Sequence, residues 1–435
     1  AIRMRNSLVF TPPSITEFPP QPKIRTTNYE LRVKRALPFS LSPPPPSPLP
    51  LRPPLRYPIP VDAIADTLIP LLVIAARLLV PLLIPWFPLP GIIAALALDA
   101  VDQTLFQTFT RLPLDGYQSY DKALDIYYLS IAYISTLRNW TNHFAFRVAA
   151  VLFYLRLVGV ALFELTQWRI LLFIFPNTFE YFFIWYETLA LWRDPRGLSR
   201  HTIAGAAAAI WIIIKLPQEF WLHIARLDLT DVLKTALFRA PPETTWGHLF
   251  RAVPGVFVLA VLGSVALLGG IAWLAGRRLP PPERSLSARD RTRNLGRDRR
   301  QQARAVWAAQ IFDRDLLEKV VLVTLLVVIF AKALPNTRAT VAQTAAGGAL
   351  IIILNTAISH WLARRGVTWR NVMGQFIVMT AANISLVALL QIVPGAHDLN
   401  DAAVALFILL LSLIITLFDR FSELHMARFH REVVT

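Results

Sequence analysis

Cysteine is absent from the 435 residues, and charge is scarce: Asp, Glu, Lys and Arg together make up 17%, against roughly 25% in a soluble domain. The first absence excludes Cys-ligated zinc, iron–sulfur clusters, thiol catalysis and a disulfide framework. The second, beside 55% hydrophobic residues, excludes an ordinary soluble enzyme and a disordered chain. There is no Gly-rich phosphate loop, no G-x-S-x-G elbow, no dinucleotide fingerprint and no H-E-x-x-H. No alternating ten-residue pattern marks a transmembrane β-barrel. What remains is an all-α, polytopic transmembrane helix bundle.

Proline and positive charge are abundant, and both are localised. Residues 1–60 hold 16 of the 33 prolines, with nine Lys or Arg and two Glu. Proline fixes φ and lacks the N–H, so this basic tail is expected to be irregular or disordered. Residues 277–305 hold ten Arg and three acids. These two stretches carry 14 of the 16 net positive charges. Confined to segments beside apolar helices, that charge reads as loops facing anionic headgroups in a cell membrane, not as a nucleic-acid surface. The partners expected are the lipid bilayer and further membrane subunits or copies of the chain, with no nucleic acid.

Apolar runs near the spanning length of about 20 residues fall at 66–86, 91–110, 122–137, 146–164, 170–191, 202–224, 254–276, 317–335, 340–362, 371–393 and 402–419, predicting ten or eleven crossings. The expected organisation is a tail at 1–60, a polar-lined bundle at 61–250, a single span at 251–276, a basic cytoplasmic loop at 277–316 and an apolar four-helix bundle at 317–435. With that loop inside, Arg138, Arg147, Arg193, Arg196, Arg200 and the C-terminus also fall on the cytoplasmic side. Eleven crossings would put the basic tail outside, against the same rule.

Polarity is unevenly shared between these halves. The helices at 254–276, 340–362 and 402–419 have uncharged cores and read as a lipid-facing scaffold. Residues 70–230 instead place Arg77, Asp99, Asp102, Asp125, Arg156, Glu180, Glu187, Lys215 and Glu219 in or near spans. An intramembrane charge costs on the order of 2.5–3.5 kcal/mol on insertion scales, so these groups must pair or line a wet cavity.

Two constellations follow. Asp99 and Asp102 (i, i+3) share a helix face, and Asp121 and Asp125 (i, i+4) share the next. Such a carboxylate set suits Mg²⁺ or another divalent cation. The order Arg77-Leu-Leu-Val-Pro-Leu-Leu, Asp99-Ala-Val-Asp102-Gln103, then Gly116 and Asp121-Lys-Ala-Leu-Asp125 resembles the CDP-alcohol phosphatidyltransferase family. That family reads D-x-x-D-G-x-x-A-R followed by G-x-x-x-D-x-x-x-D. The resemblance implies two metal ions held by the four aspartates, with Asp125 as catalytic base. Gln103 stands for the motif glycine, Phe106-Gln107 for Ala-Arg, and the Gly-to-Asp gap is one residue longer.

In the second constellation, Lys215, Glu219 and His223 recur at i, i+4, i+8 on one stripe around Pro217. Glu180 and Glu187 share a face of the preceding helix, and Arg156 needs a carboxylate such as Glu180 or Asp125. The set reads as an ion-pair network or proton relay. Phe175-Pro-Asn-Thr-Phe-Glu-Tyr-Phe-Phe and Ile214-Lys-Leu-Pro-Gln-Glu-Phe-Trp-Leu-His are similar to stretches in bacterial multipass membrane proteins without assigned activity. Three functional readings stay open: a small-solute or ion handler, a non-catalytic membrane subunit, and a divergent metal-dependent phosphatidyltransferase. His425 and His430 are expected in a solvated tail.

Overall fold

A computed structural model describes residues 61–110, 117–225, 229–241, 244, 246–278, 281–288, 314–333, 341–364, 372–391 and 401–429. The tail at 1–60, most of the basic loop, the three short links after residue 333, Gly116 and His430 lie outside the described residues. The regular elements of the described chain are all helices: α1 Val61–Leu79, α2 Pro88–Phe109, α3 Tyr117–Asn139, α4 His143–Thr166, α5 Ile170–Ile174, α6 Thr178–Leu189, α7 Arg200–Ile224, α8 Leu229–Phe238, α9 Trp246–Ala252, α10 Pro254–Arg278, α11 Arg314–Ala333, α12 Val341–Arg364, α13 Val372–Gln391 and α14 Asp401–Phe429. No strand occurs among the described residues, as the sequence leads one to expect.

Helix boundaries follow local chemistry. Asn142 caps α4 by accepting from the Ala145 N–H at 3.1 Å, and Ser199 caps α7 by accepting from Thr202 at 3.1 Å. Both satisfy orphan first-turn donors. Pro81 cannot supply the N–H that would continue α1, and the chain tightens into a 3-10 turn at Val80–Leu83.

Among the described residues, four helices are long and apolar enough to cross a membrane: Pro88–Phe106, α4, α7 and Ala405–Phe429. The bent pair α9 and α10 makes a fifth if it is one span. Shorter apolar stretches occur at Leu68–Leu83, Ala346–Ser359 and Met373–Leu386. Ten or eleven crossings are expected from the sequence, and two of the expected runs are not single apolar spans in the structure. The run at 170–191 is not one helix, because Pro176 divides α5 from α6. The run at 122–137 lies in α3, whose first turns carry Asp121, Lys122 and Asp125.

The two halves share one apolar core. Buried residues of α3, α4 and α6 merge with those of α11 and α14, within the single compact unit Pro58–Thr435. Tyr133 stacks on Phe153 with centroids 4.5 Å apart, and Trp140 stacks on Tyr186 at 3.8 Å. Arg428 from α14 donates to the carbonyls of Trp140 at 2.5 Å and Arg138 at 2.7 Å. A cation there satisfies orphan carbonyls at the end of α3 and complements its dipole. His425 is not solvated as expected: half-buried, its ring centroid lies 4.3 Å from that of Phe146, because α14 runs on as far as Phe429.

The described start of the basic loop packs against the link that follows α6 and the turn that precedes α2. Glu283 and Arg284 donate backbone N–H groups to the Leu191 carbonyl at 3.0 and 3.2 Å, and Ala288 donates to Trp86 at 2.8 Å. Arg284 pairs with Asp194 at 3.1 Å, and Asn142 donates to Pro195 at 3.0 Å. That region also holds the finish of α3, whose start carries the aspartates. From Asp125 to Arg138 is 13 residues, so the two ends are about 20 Å apart.

The C-terminal helices are less inert than their composition predicts. Lys319 donates to Asp419 at 2.8 Å, with side chains 4% and 6% exposed. Tyr133 and Tyr154 both donate to Glu318. Asn355 donates to Asn383 at 2.7 Å and Asn383 to Ser412 at 2.8 Å. Read from hydropathy, Glu318 and Asp419 sit at run edges. In the structure α11 starts at Arg314 and α14 ends at Phe429, which draws both inward.

Candidate functional site

Arg77 sits in the last turn of α1, just ahead of the Pro81 break. The phenol of Tyr127 on α3 donates to the Leu78 carbonyl at 2.9 Å, tying the break to α3. The Arg77 guanidinium then lies between α2 and α3, among all four predicted aspartates. Its Nη1 donates to Asp102 and, at 3.0 Å, to Asp121; its Nη2 donates to Asp99 and, at 3.0 Å, to Asp125. One fork-shaped cation therefore serves four carboxylates, the geometry for which guanidinium is suited and ammonium is not.

The four carboxylates are not equivalent. Asp102 is wholly buried, whereas the side chains of Asp99, Asp121 and Asp125 are 23%, 23% and 16% exposed. Those three each offer an oxygen, and the three oxygens lie within 4.8 Å of one another. Lys122 approaches the far oxygen of Asp121 at 3.6 Å. Among the described residues, four carboxylates of formal charge −1 face two cations, Arg77 and Lys122. An all-oxygen, anionic, partly accessible trio is the donor set of a hard divalent cation. It fits one cation beside Arg77 better than the implied pair of metals, because the guanidinium already fills the middle of the four.

The second constellation assembles where two irregular helices meet. The α5–α6 break at Phe175-Pro176-Asn177 frees backbone groups. Opposite it, α7 winds as π-helix over Ile210–Lys215 and Phe220–Ile224, with an α-turn containing Pro217 between. Proline removes one N–H, and wide turns of this kind recur at functional sites. Gly159 on α4 admits the close approach, since a Cβ there would lie 2.2 Å from that of Phe175. One turn earlier on α4, Arg156 donates to the Phe175 carbonyl at 3.2 Å.

Around this crossing the polar groups are linked. Glu219 receives the Asn177 N–H at 3.2 Å, lies 3.0 Å from His223 Nε2 and lies 4.0 Å from Arg156. Arg156 thus takes Glu219 as its closest carboxylate, in place of the expected Glu180 or Asp125. Glu180 receives Asn177 Nδ2 at 2.6 Å and the Tyr128 hydroxyl at 3.1 Å. The Lys215 ammonium rests over the Tyr181 ring, 4.0 Å from its centroid. Arg156, Asn177, Glu180, Lys215 and Glu219 are all at least 93% buried.

Of the residues singled out in the sequence, Arg77 and the four aspartates form one cluster, and Arg156, Glu180, Lys215, Glu219 and His223 another. Asp125 is near enough to Glu180 and Lys215 to act electrostatically on both. Glu187 belongs to neither: two turns beyond Glu180, it receives the Trp140 indole N–H at 2.8 Å. Tyr128 escaped the sequence reading, although its i+3 spacing from Asp125 places it on that face. Tyr181 and Thr178 carried no signal beyond adjacency to Glu180. The chain matches no protein-family model, no curated protein and no solved structure.

Proposed function

We propose that the protein handles a small cation through an intramembrane polar site in residues 70–230, with Asp99, Asp121 and Asp125 as the entry ligands. The observation that carries this reading is the imbalance of one guanidinium against four carboxylates inside an apolar bundle. Uncompensated charge in low dielectric is costly, and a bound cation removes the excess. Asp102 keeps Arg77 in place, leaving the other three to exchange ligands. By the positive-inside bias the arginine-rich end, with the C-terminus and the 277–316 loop, is cytoplasmic in a cell membrane. The aspartates then open toward the other face, about 20 Å away.

The test is Mn²⁺ binding to purified protein, followed by electron paramagnetic resonance, and Mn²⁺ uptake into proteoliposomes. Saturable binding displaced by Mg²⁺ or Ca²⁺, lost in Asp99→Asn and Asp125→Asn at unchanged expression, is expected. Folded wild-type protein that takes up no cation would leave a non-catalytic subunit as the better reading.

One observation favours the phosphatidyltransferase alternative: its four motif aspartates do meet at a point. That reading requires Mg²⁺- or Mn²⁺-dependent release of CMP from a CDP-lipid, and an aspartate face on the cytosolic side. Labelling of Gly116→Cys, the sole thiol in this cysteine-free chain, reports the side.

A further inference from the structure

The α5–α6 break holds a second set of groups that the cation reading does not use, and their satisfaction is incomplete. Arg156 Nε, Asn177 Oδ1, Thr178 Oγ1 and Glu180 Oε1 are buried without a hydrogen-bond partner among the described residues. Such orphans are rare in folded proteins and each is costly. They belong to one place. Asn177 and Thr178 are consecutive, Asn177 is bonded to Glu180, and Arg156 and Asn177 both face the same oxygen of Glu219. Lys215 joins them, interacting through space with Glu180 and Glu219. Among the described residues its ammonium touches only the Tyr181 ring.

The orphans sort by chemistry. Glu180 Oε1 and Asn177 Oδ1 need donors, Arg156 Nε and the Lys215 ammonium need acceptors, and Thr178 serves either role. Among the groups at the break itself formal charge is balanced, Arg156 and Lys215 against Glu180 and Glu219, with His223 counted as neutral beside Glu219 and Asp125 further off. A lone cation or anion would unbalance it inside the bundle; a ligand of both signs would not. We infer that the crossing of the α5–α6 break with the π-turns of α7 is a binding site for a small amino-acid zwitterion. Its ammonium is held by Glu180 and Asn177, and its carboxylate by Lys215 and Arg156.

None of the aspartates is a ligand of this site, so its test reads zwitterion binding rather than Mn²⁺ binding. Purified full-length protein in nanodiscs would be titrated calorimetrically with glycine, β-alanine, 4-aminobutyrate and 5-aminovalerate, which step the charge separation. Propionate and propylammonium serve as singly charged controls. At least one zwitterion is expected to bind about tenfold or more tightly than either control, and Glu180→Gln or Lys215→Met to weaken it by about tenfold. Thr178→Val, which removes one hydroxyl without touching a charge, should weaken it by a smaller factor and decides the matter if the charge variants do not fold. Silence of all four zwitterions on folded wild type overturns the inference. So does equal binding by wild type and Thr178→Val together with equal binding by the singly charged controls.

Discussion

Buried charge takes two opposite forms in this molecule. Beside Lys319 one ammonium meets one carboxylate, Asp419, whose other oxygen receives Ser359 at 3.4 Å. Around Arg77 one guanidinium meets four carboxylates, three of them reachable from outside. The first arrangement is closed, with nothing further to bind, and it fastens α11 to α14. The second is open, with surplus charge and spare lone pairs. The comparison separates charge that holds a bundle together from charge kept ready for a ligand, and it turns on stoichiometry and access, since both sites contain a buried cation paired with carboxylate.

The largest effect should come from removing the one cation that serves four anions. Arg77→Met is expected to lower stability by about 3–5 kcal/mol, the range for orphaning a buried charge, read as loss of monodisperse protein in fluorescence-detected size exclusion. Partial recovery on adding Mn²⁺ would sharpen the contrast, because no metal should rescue Lys319→Met. That variant should itself cost about 3 kcal/mol, and Lys319→Met with Asp419→Leu should be near wild type, since an apolar pair of similar volume replaces a buried ion pair at little cost. Chemical denaturation of the single and double variants measures the coupling. If the double variant is as unstable as either single one, the pair is not the closed structural unit described here.

The same comparison predicts a reversal of sign. Asp419→Asn removes a needed partner and should destabilise. Asp121→Asn removes one carboxylate from a surplus and, in metal-free buffer, should raise stability by on the order of 1 kcal/mol through relief of like-charge repulsion. Thermal melting with chelator present reads both. A fall in stability for Asp121→Asn would mean that the cluster is balanced by groups other than Arg77 and Lys122.

How far the sequence discloses these sites depends on spacing. The four aspartates and the Lys215–Glu219–His223 stripe were legible because i, i+3 and i, i+4 spacing fixes a shared helix face whatever the tertiary structure does. The role of Arg77 as the centre was not legible, since it depends on a Pro81 break that bends one helix end between two others. Glu180 and Glu187 share a helix face too, yet serve different sites, because seven residues along a helix is about 10 Å, further than one site extends. The Lys319–Asp419 pair is 100 residues apart in sequence; hydropathy placed both at run edges, and only helix extension brings them inside. The all-α class was legible from apolar runs of spanning length without alternation, whereas the break at Pro176 was not, because it splits a run whose average hydropathy stays high.

A third pair sets the lower limit of the scale. Asp194 and Arg284 lie in links outside the apolar spans, with side chains 54% and 40% exposed. The backbone N–H of Arg196, with Arg284 adding to it, holds the Asp194 carboxyl below its ordinary value near 3.8. A depressed carboxyl contributes stability that is present above the ordinary value and lost as pH falls through the folded one, so any loss should appear only below about pH 4. Exposure and salt reduce that contribution to about 0–1 kcal/mol. Asp194→Asn should therefore shift the neutral-pH melting temperature very little, and 1 M salt should abolish what shift there is. The Asp121→Asn gain should shrink less in salt, because burial shields its neighbours from screening ions. Equal salt sensitivity of the two variants would place the aspartate cluster in open water, and its surplus charge would then need no cation.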